Sequence, residues 1–217
     1  SISIPDLISP AIGPSTAIVL VQNGIAIESH IKKAFPNNLL ISGLAFVCVH
    51  RPKFGHIHHQ DYGRLVIGDY PEGSSSKTQI LCDLFSQSNV PCKLSQSIQR
   101  DRFKKLVWNA PFNPLSVLLG GKTTTELLQD QHTHARIIDI MTDVTRLSEA
   151  AGYPLSDNII SRNIDDTLKM TPYKTSMLLD YENDRDLEIE AILGNAIRLA
   201  THHNIEVPSL ITLFISI

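Results

Sequence analysis

The spacing of apolar residues along the chain changes near residue 95. Before it, short β-rich runs alternate with helical pieces. AIVLVQ (17–22), Leu39–His50 and RLVIGDY (64–70) read as strands, with a turn at Asp61–Gly63 ahead of the last. AIVLVQ is apolar at successive positions, which predicts a strand buried on both faces. SSSKTQILCDLF (74–85) sets serines ahead of an apolar-periodic helix, and VPCKLS (90–95) reads as one more short strand. Beyond it the helical period takes over. It predicts a long helix over 97–119 and another over 133–151 that stops at AGYP, where Gly152 caps and Pro154 prevents continuation. Helical stretches follow over 156–168, with Ser156 as N-cap, and over 174–181 and 186–203. The expected fold is α/β followed by all-α, with a boundary near Ser95–Gln96.

Composition narrows the function. The 217 residues are 42% hydrophobic and 19% charged, enough for one large or two modest cores. With 19 basic and 22 acidic residues spread evenly, the net charge of -3 leaves no basic field for nucleic acid or anionic lipid and points to a small-molecule or protein partner. Cys48, Cys82 and Cys92 are odd in number and lack CxxC spacing, so a reducing compartment, the cytoplasm, is expected. LLISGLAFVCV (39–49) is too short to span a bilayer, and the first residues show no basic leader before an apolar stretch, so no membrane or export role is expected.

The chemistry concentrates in KKLVWNAPFNPLS (104–116). On a helix, Lys105, Asn109 and Asn113 form a column that Ser116 continues, flanked by Leu106, Val107, Trp108, Phe112 and Leu115. An amine and two amides in partly dehydrated surroundings need partners, or each costs about 1–3 kcal/mol. Either the protein or a ligand supplies them. Pro111 and Pro114 each remove a donor at roughly 3 kcal/mol. The resulting kink either turns Asn109 and Asn113 toward a cleft or wraps the helix around the core. A lysine beside apolar walls loses affinity for its proton, which makes Lys105 a candidate general acid. Lys104 points about 100° away and reads as solvated.

KKLVWNAPFNPLS resembles the ketopantoate reductase family, NADPH-dependent enzymes that reduce 2-dehydropantoate to pantoate on the way to pantothenate and coenzyme A. IVLVQNGI (18–25), TSMLLD (175–180) and RDLEIEAILGNAIRLA (185–200) resemble further segments of the family in family order. The resemblance implies a Rossmann-type nucleotide domain, of which residues 1–95 are the last part, and a helical substrate and dimerisation domain at 96–217. It implies that Lys105 protonates the ketone oxygen, that Asn109, Asn113 and Ser176 hold the substrate, and that Asn23 lies between substrate and nicotinamide. Glu188 matches a carboxylate near cofactor and reacting centre. By its own local pattern, Asp186 is the N-cap and Glu188 falls in a first helical turn, where simple capping also accounts for it, as it does for Ser176. Tyr173 departs from the family, which often has asparagine there, and GGKTTTEL (120–127) matches too loosely to give Thr124 a role.

No GxGxxG occurs among the 11 glycines, so the pyrophosphate cradle is missing and a truncated chain carrying mainly the substrate half of the site is expected. HIHH (56–59) lacks zinc-like partners and reads as a polar strand edge; DYENDRDLEIE (180–190) lacks EF-hand spacing, so no metal is expected. Two alternatives stand beside the reductase: a related hydroxyacid dehydrogenase, or a non-catalytic assembly module. The apolar faces at Ile137–Met141 and LITLFISI (210–217) fit either core or a homodimer surface.

Overall fold

The computed structural model, which describes residues 3–217, contains a four-stranded sheet followed by a helical array. The strands are β1 (Ile18–Leu20), β2 (Leu40–Lys53), β3 (His56–Asp69) and β4 (Cys92–Leu94), in the order β1-β2-β3-β4. β1 and β2 pair in parallel, β2 and β3 antiparallel, and β3 and β4 in parallel. Helix α1 (Ile4–Ile8) precedes the sheet, α2 (Ser29–Ala34) links β1 to β2, and α3 (Ser76–Gln87) links β3 to β4. Ser75 caps α3 through the Thr78 amide, as the serine run predicts.

Two strand expectations are corrected. β1 is three residues long and buries alternate side chains: Ile18 and Leu20 pack with Ile31 of α2 and Leu40, whereas Val19 is 39% exposed. The helices cover one face of β1, so an unbroken apolar run does not mean two buried faces. The turn expected at Asp61–Gly63 is a bulge inside β3. Phe46 pairs with Arg64 and Val47 with Tyr62, which leaves Gly63 as the extra residue, and Tyr62 (φ 61°) and Gly63 (φ 119°) supply the bend. The chain reverses instead at Phe54–Gly55, so the ribbon is longer than its apolar part.

The helical part comprises α4 (Ile98–Leu118), α5 (Thr124–Gln129), α6 (Gln131–Ala150), α7 (Ile159–Lys169), α8 (Ser176–Tyr181), a π-helical turn (Glu190–Gly194) that continues into α9 (Asn195–His202), and α10 (Pro208–Ser216). Its core joins Phe103, Val107 and Phe112 of α4 to Ile137, Met141 and Val144 of α6 and Leu210 and Leu213 of α10. The Ile137–Met141 face is therefore core, while α10 is divided, with Ile215 78% exposed. Asp143 accepts the Ser209 and Leu210 amides at 2.7 and 3.1 Å, holding the start of α10 against α6.

α4 runs unbroken through Pro111 and Pro114, both buried. The two missing N–H groups leave the carbonyls of Val107 and Ala110 without their i+4 donors. α6 ends at Gly152, φ 84°, as expected, but Asp130 caps its start. Ser156 does not cap α7: its carbonyl accepts Ile159 N in a turn, and the helix begins after Asn158. Asp186 likewise caps nothing, because the helical segment that leads into α9 starts only at Ile189. No helix among the described residues is long and apolar enough to cross a membrane.

Candidate active site

The site is built where β1 ends against the helices. Beyond Leu20 the chain reaches Asn23 and turns at Gly24, φ 103°, where a Cβ would overlap the Ala191 carbonyl. Only glycine allows this approach. Ile25 N donates to that carbonyl at 3.0 Å, and Asn195 Nδ2 donates to Ile25 O at 2.8 Å, so the turn is fastened to the π-helical segment. π-Turns widen a helix locally and are often found at functional sites.

This fastening brings three distant residues into one hydrogen-bonded line. Asn23 Nδ2 donates to Glu188 Oε2 at 2.9 Å, and Lys105 Nζ donates to Asn23 Oδ1 at 2.8 Å and to the Ala45 carbonyl of β2 at 2.6 Å. An ammonium on one side and a carboxylate on the other fix which way the Asn23 amide faces. Glu188 precedes the helix instead of lying in its first turn, its carbonyl accepting Ile192 N. That position leaves its carboxylate free to reach Asn23.

Arg102, one turn before Lys105, lies below this line and is 1% exposed. It pairs with fully buried Glu28 and donates to Ser42 Oγ at 2.9 Å and to the carbonyls of Gln22 (3.0 Å) and Gly24 (3.1 Å). It thereby ties α4 to the end of β1. Burial, reinforced by the Arg102 charge and opposed by Glu188, pulls the Lys105 ammonium down from 10.5 to about 8.

Lys105 opens into a cleft of about 440 Å³ whose lining includes Asn23, Phe46, Asn109, Tyr173 and Ser176. Thr175 caps α8 through Leu178 N and shares a 2.6 Å hydrogen bond with Ser116, so Ser176 is spared the capping role and lines the cleft. Ser116, the last member of the column, is thus occupied within the protein. Asn113 is 1% exposed, lies outside the lining, and its Oδ1 has no partner among the described residues. Thr124 is also buried, with an unpartnered Oγ1. Burial pushes the Cys48 thiol and Tyr173 hydroxyl, side by side in one wall, above their ordinary values, so both keep their protons near neutrality. Lys104 pairs with Asp101 at 2.7 Å on the rim.

Sequence comparison fits this geometry. The family described as "Ketopantoate reductase PanE/ApbA C terminal" matches residues 97–215, and "Ketopantoate reductase PanE/ApbA" matches residues 3–72. The chain belongs to the ketopantoate reductase family. A 2-dehydropantoate 2-reductase from Nostoc sp. is 34% identical over 216 residues, 97% of this chain. The crystal structure of a 2-dehydropantoate 2-reductase from Methylococcus capsulatus is 42% identical, with a TM-score of 0.91 over 96% of this chain. The chain spans about two thirds of the length of these relatives, 67% in each case. The ketopantoate reductase fold is not confined to one hydroxy acid: D-mandelate dehydrogenase with NADH, 21% identical, shares it at a TM-score of 0.87. The family is one of oxidoreductases, and the α/β sheet followed by a helical array is its fold.

Proposed function

We propose that this chain carries the keto-acid half of the active site of an NADPH-dependent 2-dehydropantoate 2-reductase, which converts the ketone of 2-dehydropantoate to the alcohol of pantoate. The observation that carries this reading is the line Glu188–Asn23–Lys105, whose members are 165 and 82 residues apart in sequence and meet beside one cleft. Residues 1–95 are then the end of a dinucleotide-binding domain and 96–217 the substrate domain.

Lys105 Nζ protonates the oxygen of the ketone as it becomes an alkoxide. Asn23 orients the amine, and the Glu188 charge favours its protonated form. Asn109 and Ser176 hold the polar groups of the acid, while Asn113, buried outside the lining, takes no part in holding it. The Asn23 amide, just beyond the end of a parallel strand, and the Glu188 carboxylate bonded to it suit a nicotinamide carboxamide, whereas among the described residues none form a pyrophosphate cradle. A nicotinamide dinucleotide bound there supplies the hydride.

The test is turnover of 2-dehydropantoate with NADPH by the gene product containing this chain. Lys105→Ala should lower kcat at least ~100-fold, the usual contribution of a positioned acid; undiminished turnover refutes the role. A second reading, a dehydrogenase of another hydroxy acid, is favoured by the apolar wall of Trp108, Met170 and Tyr173. A higher kcat/KM for a keto acid with an apolar tail than for 2-dehydropantoate would select it.

A further inference from the structure

Arg64 is a cation for which the described protein supplies no counterion. Arg102, Arg146, Arg185 and Arg198 each pair with a carboxylate; Arg64, like Arg51, Arg100, Arg136 and Arg162, makes no ion pair among the described residues, and of those five it is the one that lines the cleft. It pairs with Phe46 across the β2–β3 ladder, one residue beyond the Gly63 bulge, and its guanidinium carbon lies over the Phe46 ring at 4.3 Å from the centroid. The bulge turns the strand at this point and thereby aims the side chain. Lys105 Nζ lies over the same ring at 5.3 Å, and both cations line the cleft with Asn109 and Ser176. The cleft lining includes one carboxylate, Asp166, which pairs with neither cation.

We infer that Arg64 is a substrate-binding residue whose guanidinium receives the carboxylate of the keto acid while Lys105 faces the adjacent ketone oxygen. This rests on the keto-acid reading above. In a 2-keto acid the carboxylate is one bond from the carbonyl carbon, so two cations gathered at one aromatic ring match the two oxygen-bearing ends. Stacking on Phe46 restricts the arginine before substrate arrives, and its planar fork fits a carboxylate through two parallel hydrogen bonds. A lysine could lie over the ring but would lack the planar fork. Because Arg64 is exposed, it also draws the anion in from solution.

The test uses the gene product containing this chain, with Arg64→Gln and Arg64→Lys, on one keto acid and on its neutral primary amide. Arg64→Gln should raise KM for the acid about 10-fold, the size of one lost charge-assisted contact at a solvated site, and leave kcat within about twofold. KM for the amide should not change, and the salt dependence of kcat/KM for the acid should flatten. Arg64→Lys should fall between. Equal KM values for the acid in parent and Gln variant, or equal losses on acid and amide, would overturn the role while leaving the reductase reading intact. Failure of the unaltered protein to reduce any keto acid would overturn both. Unchanged unfolding midpoints in both variants exclude a misfolded sheet as the cause.

Discussion

Lys105 yields a pH dependence whose direction and position follow from its surroundings. Its ammonium is drawn down from 10.5 to about 8, chiefly by burial and secondly by the Arg102 charge, with Glu188 acting the other way. At 1.36 kcal/mol per unit, that disfavours the charged form by about 3 kcal/mol. A donor must carry its proton, so kcat/KM for ketone reduction should be flat below about pH 8 and fall tenfold per unit above it. Oxidation of the alcohol, which needs the free amine, should rise through the same region. Replacing Glu188 with Gln removes the charge that raises the value and should move the break to lower pH. The linkage to stability has a fixed sign as well. Between about 8 and 10.5 the unfolded chain binds the extra proton, so stability should increase with pH across that window, and the full penalty is present below it. Rate profiles in both directions, with an NMR titration of the lysine Cε assigned through Lys105→Gln, measure all of this. A reductive profile flat to about pH 9.5, or a break near the ordinary lysine value, would refute the reasoning.

Arg102→Met should destabilise the fold by about 3–5 kcal/mol in equilibrium denaturation, because the Glu28 carboxylate is left buried without its cation; adding Glu28→Met should recover most of that loss. Gly24→Ala should lower the unfolding midpoint by an amount corresponding to at least about 1–3 kcal/mol, since the Cβ overlaps the Ala191 carbonyl at a positive φ. It should also cut turnover by moving Asn23, and an unchanged melting temperature would contradict the close approach described here.

Elements whose signals are local were legible from the chain itself. The apolar period over 98–118, the serines ahead of α3 and the Gly152 stop mark helices and their ends because capping and periodicity act within a few residues. The column of Lys105 and Asn109 was legible for the same reason, and the Thr123–Glu126 capping box is a local signal of the same kind for α5. Arg102 also left a trace, an arginine one turn before Lys105 on an apolar-flanked helix, but Glu28 left none: nothing near it in sequence marks a fully buried carboxylate.

What the sequence by itself determined is the run of helices α3, α4, α6, α7, α8 and α9, the amphipathic face of α4 and the residue types that face offers. Only the tertiary structure decided that Glu188, Asn23 and Lys105 form one line, that Asp61–Gly63 bends a strand instead of ending it, and that Thr175 relieves Ser176 of capping. It also decided that Arg102 is buried and that its charge and that of Glu188 act on Lys105. The physical reason is common to all of these. Hydrogen bonding between segments far apart in sequence, close backbone approach, and desolvation of a charge depend on what packs alongside, and neighbours in sequence carry no record of it.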